Sequence, residues 1–326
     1  MRVLLTGAFG NVGTSTLKSL IKQGNTVRCF DIKNSKTKKI QKKYIKKYKF
    51  ETFWGDITNI DDVYQAVKGV DSIIHLAGII PPLSEKIPVI AYDVNVKGTE
   101  NIVKSVKKLE NQPIIVFASS CSVFGKTMSL SPPRNSNDPV NPSDNYTNQK
   151  IMCEKIIKES GLNWVILRIA AALPLKLPLK LDPILFEIPL NQRIEFLYTG
   201  DAGVAFANAL NLQEKEKILL IGGGKKCQIY QEDFVKKILN TMGISMPSNL
   251  AFKQVENDSD WFYTDWLDTE ESQDLLEYQN NSFEDYIEKL NKNGALRRLG
   301  LKILSPLVKM SLLKMSPYYK LNKKIS

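Results

Sequence analysis

The sequence predicts an α/β protein built on a doubly wound parallel sheet with a smaller, irregular second lobe. Three observations predict it. Short apolar runs alternate with amphipathic stretches through the first half of the chain, a glycine-rich turn follows the first apolar run at once, and the alternation loosens after Arg168 into a proline-rich segment. At 326 residues, 43% of them hydrophobic, the chain is long enough to bury a large core.

Taken in order, RVLLT (2–6) is a buried strand and 12–22 a helix, followed by the strand TVRCF (26–30). The segment KNSKTKKIQKKYIKKYK (33–49) spaces Ile40, Tyr44 and Tyr48 as one helical stripe, which leaves its lysines on a solvated face. FETFW (50–54), SIIHLA (72–77), PIIVFAS (113–119) and WVILR (164–168) complete six strands, with helices over 93–108 and around Tyr146. KILLIGGG (217–224) reads as one more buried strand ending in a strand-to-helix turn, and 232–242 as a helix. The expected organisation is a dinucleotide-binding domain over 1–172, with 203–222 returning to it. A substrate lobe over 173–202 and 223–290 follows, then a basic amphipathic tail over 291–326.

The net charge of +11 is unevenly placed. Nine lysines and no acid lie between Lys33 and Lys49, and ten Lys or Arg and no acid follow from Lys289; taking these 19 cations from +11 leaves the remainder at −8. A nucleic-acid partner is therefore not expected. Four separated cysteines and one histidine offer neither a metal site nor a disulfide framework. The amino terminus runs straight into a strand and a glycine turn, without a signal-peptide pattern, so the expectation is a cytoplasmic protein.

TGAFGNVG places glycines at 7, 10 and 13 between the first strand and the first helix. Gly7 suits a tight turn, Gly10 a close backbone approach to a diphosphate, and Gly13 close helix-to-strand packing. The loop residues Gly7, Phe9, Gly10, Asn11, Val12 and Gly13 are thus the candidate cofactor cradle. Asp31 ends the second strand where ribose hydroxyls would lie, and its carboxylate repels a 2′-phosphate, favouring NAD over NADP. Arg28 and Lys33 work against that preference.

These glycines, with GDIT (55–58), HLAG (75–78), NVKGT (95–99), SSCSVFG (119–125) and YTNQK (146–150), occur in an order that resembles the extended short-chain dehydrogenases/reductases, the NAD-dependent epimerase/dehydratase family. The resemblance runs to about residue 290 and implies a Rossmann-type fold and a homodimer. It implies that Asp56 and Ile57 hold the adenine, that Leu76, Ala77 and Gly78 line the cofactor, and that Asn95 supports the site. His75 becomes a structural residue beside the cofactor.

Tyr146 and Lys150 stand four apart on one helical face. A lysine ammonium and the positive charge of an oxidised nicotinamide both favour the phenolate, which can then remove a hydroxyl proton as hydride leaves carbon. Ser120, at the carboxyl end of the fifth strand, can orient the reacting oxygen of a substrate. The resemblance assigns Ser120, Tyr146 and Lys150 these same roles. Family dehydratases generally carry a carboxylate after the catalytic Ser or Thr; Cys121 and Ser122 stand here, which disfavours dehydration. The family's nucleotide-sugar epimerases usually carry an asparagine after the sixth-strand arginine, where this chain has Ala170 and Ala171, so Arg193 is the candidate anion contact.

The expected activity is a sugar-nucleotide 4-epimerase-like reaction by transient hydride transfer, with a small-molecule nucleotide-sugar substrate. The alternatives are an NAD(P)-dependent carbonyl or alcohol oxidoreductase of a non-nucleotide substrate, and a non-catalytic dinucleotide sensor. In the tail, Leu296, Leu299 and Ile303 form an apolar stripe, and Ser305 and Pro306 look like the start of a second short helix. An anionic membrane surface, a partner or second subunit, and this protein's own lobe all suit it, and peripheral membrane association is one expectation.

Overall fold

The computed structural model describes residues 1–175, 182–293 and 305–325. The first half contains β1 (Arg2–Thr6), α1 (Asn11–Lys22), β2 (Thr26–Asp31), α2 (Ser35–Ile45), β3 (Glu51–Trp54), α3 (Ile60–Val67), β4 (Ser72–His75), α4 (Leu83–Lys86), α5 (Pro88–Tyr92), α6 (Gly98–Val106), β5 (Ile114–Ser120), α7 (Asn145–Lys158) and β6 (Trp164–Ile169). Next come β7 (Ala172–Leu173), α8 (Ile184–Glu187), β8 (Arg193–Glu195), β9 (Leu197–Tyr198), α9 (Thr199–Asn208), β10 (Lys217–Ile221), β11 (Gln228–Tyr230), α10 (Gln231–Thr241), α11 (Glu270–Leu276) and α12 (Phe283–Asn293). Two further helices, Ser305–Met315 and Tyr319–Ile325, follow.

The main sheet has seven parallel strands in the order β10-β6-β5-β4-β1-β2-β3. Its central strands carry apolar runs because both faces are covered, as in Val3–Leu5, Ile73–Ile74, Ile115–Phe117 and Val165–Leu167. One face packs Leu5, Cys29, Val116 and Leu167 on α1 and α9 through Leu17, Leu20 and Phe206. The other packs Leu4, Ile73, Ile115 and Ile166 on α3, α6 and α7 through Val63, Ile102 and Ile157. The strand order reverses between β1 and β4, so the crevice above the ends of these two strands is where such a sheet binds ligands.

Local sequence sets the helix that matters most for the site. Asp144 accepts from the Thr147 backbone N–H at 2.8 Å while the Thr147 hydroxyl takes the Asp144 N–H, a reciprocal cap that starts α7 two residues before Tyr146. Further along α7, Glu154 accepts a two-pronged bond from Arg168 of β6, at 2.9 and 2.8 Å, and the Ser119 hydroxyl at 2.6 Å. Both partners of this ion pair are almost wholly buried, with side chains 4% and 3% exposed. Burial alone would raise the Glu154 pKa, but the Arg168 fork and the Ser119 hydroxyl outweigh it and hold the carboxyl below its usual range. Replacing Glu154 with Leu strands a buried guanidinium, so it should cost about 3–5 kcal/mol in a denaturant melt; a loss near zero would refute the role.

The structure departs from the sequence reading in the helices. Crossover α3 joins β3 to β4 although the sequence reading names none; it is short, with Val63, Ala66 and Val67 as its buried residues and Asn59 as its cap. The helix expected over 93–108 begins at Pro88 and contains a π-turn at Asp93–Lys97. In that turn the Asn95 carbonyl accepts from the Thr99 hydroxyl and the Cys153 thiol. The stripe Leu296, Leu299 and Ile303 lies outside the described residues.

Candidate functional site

The glycine turn is built by close approach. Gly7 has φ +63°, where a side chain is strained, and its amide neighbour Gly10 donates to the Gly7 carbonyl at 3.0 Å. A Cβ on Gly13 would lie 2.2 Å from the Gly7 oxygen, so only glycine lets α1 seat this closely on the turn. Gly10 caps α1 without a side-chain hydrogen bond, leaving the first helical amides facing the crevice for an anion. The cradle therefore fits the diphosphate of a dinucleotide. Of the other loop residues, Phe9 is buried against Phe50 and Trp54, so only its main chain belongs to the cradle; Asn11 is exposed and bonds the Ala172 carbonyl, and Val12 is half-buried.

Asp31 sits at the mouth of this turn. Its Oδ2 accepts the Phe9 N–H at 2.8 Å and its Oδ1 accepts the Ile32 N–H at 2.9 Å, which leaves lone pairs on both oxygens for ribose hydroxyls. Burial raises its pKa, against the opposing pull of those two N–H groups and Lys36. Arg28, expected to temper the choice of cofactor, points away; it is buried, paired with Glu51 at 3.0 Å, and donates to the Ala66 and Lys68 carbonyls. Lys33 is exposed. The Gly55 N–H donates to the Asp31 carbonyl, which brings the exposed Asp56 and the buried Ile57 to the same edge.

On the other side of the crevice the Thr6 hydroxyl accepts the Leu76 and Ala77 amides, each at 3.1 Å. His75 lies between the Thr6 and Thr99 hydroxyls, and burial, then the Lys150 charge, push its pKa down to about 3, so it is neutral and structural. Gly78 is exposed, and a Cβ there would lie 3.0 Å from Asn95 Oδ1 and 3.9 Å from Lys150 Nζ. Asn95 accepts from the Ile79 N–H at 2.7 Å and donates to the Ile79 carbonyl and to Gln149 Oε1.

Ser120, Tyr146 and Lys150 come together at the end of β5. Tyr146 is 9% exposed and lies close enough to the Ser120 hydroxyl to feel it electrostatically. Ser120 Oγ in turn lies 2.7 Å from Ser122 Oγ. Lys150 Nζ donates to the Ala118 carbonyl at 2.7 Å and stands 5.7 Å from the centre of the Tyr146 ring. Burial raises the Tyr146 pKa, opposed by the Ser120 hydroxyl, and lowers that of Lys150, opposed by Cys153 and Glu154. Burial thus disfavours the charged form of each, and a cation placed beside Tyr146 would favour its phenolate.

Sequence reasoning missed three supports. Glu85 accepts the backbone amides of Asn145 and Tyr146, at 3.2 and 3.1 Å, so a loop carboxylate holds the first turn of α7 at its positive end. Gln149 orients Asn95, and Ser122 shares its hydroxyl with Ser120. Ser122 was in view as the second residue after Ser120; nothing local marks Glu85, which is remote in sequence. Cys121 is buried, which pushes its thiol up to about 12.

Arg193, the candidate anion contact of the sequence, is tied to Asp265. It is buried, and both its Nε and one terminal nitrogen bind Asp265, at 2.6 and 3.0 Å, while that terminal nitrogen also reaches the Thr127 and Leu130 carbonyls. Its guanidinium is paired with Asp265 and donates to two main-chain carbonyls, so the contacts the structure gives it are internal to the chain.

The sequence profile described as the 3-beta hydroxysteroid dehydrogenase/isomerase family matches residues 4–169. The chain is 32% identical over 161 residues to a 3-beta-hydroxysteroid dehydrogenase of Mycolicibacterium neoaurum, covering 48% of this chain and 42% of that one. It is 30% identical over 249 residues to a putative UDP-glucose 4-epimerase of Methanocaldococcus jannaschii, covering 70% of this chain and 78% of the relative. The chain spans about half the length, or somewhat less, of the first curated relatives it matches. A UDP-glucuronic acid 4-epimerase from Bacillus cereus, solved with UDP-glucuronic acid and NAD, shares the fold with a TM-score of 0.74 at 20% identity, over 90% of this chain and 98% of that one.

Proposed function

Because the chain belongs to the 3-beta hydroxysteroid dehydrogenase/isomerase family, among the extended short-chain dehydrogenases/reductases, we propose that it interconverts a secondary alcohol and a ketone with NAD. The observation that carries this reading is the convergence of Ser120, Tyr146 and Lys150 at the end of β5, below the glycine cradle. NAD, held by the Gly7–Gly13 turn and Asp31, would supply the hydride acceptor and donor for this exchange. Tyr146 removes the hydroxyl proton in oxidation and restores it in reduction. Lys150, supported by the Ala118 carbonyl, favours the phenolate, and Ser120 holds the reacting oxygen. Hydroxyl and thiol side chains, with no carboxylate, follow Ser120, which favours hydride exchange over elimination.

The leading reading is a nucleotide-sugar 4-epimerase-like reaction, in which hydride returns to the opposite face of a ketone. The match to the archaeal putative epimerase over 78% of its length supports it. One observation favours the second reading, net oxidation or reduction of a non-nucleotide alcohol. Arg193 and Arg168 are both engaged by carboxylates, and Ala170 and Ala171 present no side-chain donor, so none of these positions offers a diphosphate a free cation. A screen of UDP-, GDP- and dTDP-sugars and 3β-hydroxysteroids against the protein with NAD separates them. Epimerised sugar without accumulating NADH supports the first; stoichiometric NADH with a steroid or other simple alcohol supports the second.

The cofactor choice rests on Asp31. Asp31→Ala removes both the ribose acceptor and the bond that steadies Phe9, so the dissociation constant for NAD should rise on the order of 10- to 100-fold and the preference over NADP should shrink. Titration of both cofactors checks this; an unchanged ratio would remove Asp31 from the site.

A further inference from the structure

The helices Ser305–Met315 and Tyr319–Ile325 are tied to this chain's own lobe by their inward faces. Leu312, 3% exposed, joins a core with Phe186, Leu239 and Phe252, and Val308 and Tyr319 pack beside it. The Ser316 hydroxyl bonds the Ala251 carbonyl, Asn322 Nδ2 donates to the Leu250 and Phe252 carbonyls at 2.9 and 3.1 Å, and the Tyr318 hydroxyl bonds Glu187. The apolar stripe of the first of these helices is thereby consumed within the molecule.

The outward faces differ. Lys314, Lys320, Lys323 and Lys324 are exposed and form no ion pair among the described residues. Met310 and Leu321, 54% and 58% exposed, lie on the same two helices. Positions 310 and 314, and positions 320 and 324, are one helical turn apart, so each pair shares a face. No acid follows Glu288, and no arginine lies within 305–325. A protein interface favours arginine and disfavours lysine at its centre, whereas clustered lysines with exposed apolar side chains suit anionic lipid headgroups.

We infer that the outward face of residues 305–325 docks the protein on an anionic membrane surface. Lysine ammoniums meet lipid phosphates or carboxylates, and Met310 and Leu321 enter the headgroup boundary. The contact is peripheral: no helix among the described residues is long and apolar enough to cross a membrane. Phe186 and Glu187 belong to α8 of the substrate lobe, so docking through the tail also fixes the side of the molecule that faces the lipid.

Co-sedimentation of the full chain with vesicles of phosphatidylcholine alone, and of phosphatidylcholine with phosphatidylserine, tests this at low and high salt. Pelleting is expected only with the anionic vesicles, and salt should reverse it. The triple variant Lys314→Gln, Lys320→Gln, Lys324→Gln should lower the partition coefficient on the order of 100-fold, at about fivefold per lysine. The double variant Met310→Ser, Leu321→Ser should lower it less. All five side chains are exposed, so the melting temperature should be kept. Equal partitioning of wild type and the triple variant, or no pelleting with anionic vesicles at low salt, would overturn the inference. A salt-reversible doubling of mass in light scattering without vesicle binding would also overturn it, assigning the face to a second copy of this chain.

Discussion

Tyr146→Phe should lower turnover by on the order of 10² to 10⁴-fold while NAD binding stays close to wild type. The substitution deletes the hydroxyl proposed to move the proton and leaves the ring in its buried site. The folding cost should be small, because Ser120 keeps Ser122 Oγ at 2.7 Å as its hydrogen-bond partner. The pH dependence has a definite sign. Phenolate is the base in alcohol oxidation and phenol the acid in ketone reduction, so oxidation should rise and reduction fall as pH passes the apparent pKa of the Tyr146–Lys150 pair. Burial raises the Tyr146 pKa, and the positive charge of an adjoining oxidised nicotinamide would lower it. Steady-state rates across pH in both directions check this. Matching slopes in the two directions would show that another group moves the proton, and full turnover by the variant would remove Tyr146 from the chemistry. A dinucleotide sensor without catalysis would show no turnover to lose.

Gly13→Val should abolish NAD binding and destabilise the fold. Its first side-chain carbon alone would lie 2.2 Å from the Gly7 oxygen and 2.8 Å from the Ala8 oxygen, both main-chain atoms that cannot turn aside. Either α1 lifts from the turn or the turn moves, and α1 is also packed on α9 by the core around Leu17, Leu20 and Phe206. Overpacking of this kind costs about 1–3 kcal/mol, and a displacement near 1 Å in a binding cradle weakens function about 100-fold. Gly24→Ala is the control. Gly24 has φ +80° but nothing within 4 Å of its missing side chain, so the change should cost about 1 kcal/mol of stability and leave NAD affinity alone. Calorimetric titration and thermal melts of both variants measure the contrast. Similar NAD affinities for the two would contradict a cofactor site at the glycine turn.

The parts of this molecule that could be read from sequence are those decided by neighbours along the chain. The glycine turn is set by residues within one strand-turn-helix unit, and the Tyr146–Lys150 spacing by one helical turn. The seven-strand sheet was legible because strands covered on both faces are apolar runs, as in Ile114–Phe117 and Trp164–Leu167. Charge partners were not legible. Arg193 looks like a free cation until Asp265, 72 residues on, is folded beneath it, and Arg28 looks close to the cofactor until Glu51 and the Ala66 carbonyl draw it to the other side of β2. Glu85 is equally silent in the sequence, since its value lies in meeting a helix start 60 residues away. The tail shows the same limit: its apolar residues and its lysines are obvious, but only packing tells which face Leu312 has already used.

The most direct test of hydride transfer at this site is nicotinamide fluorescence in single turnover, with protein in excess over each secondary-alcohol substrate of the screen and NAD bound. The account predicts that at least one substrate produces a transient or lasting reduced-nicotinamide signal with wild type and none with Tyr146→Phe at equal NAD occupancy. The same signal from both proteins, or none from wild type with a substrate it demonstrably converts, would contradict it.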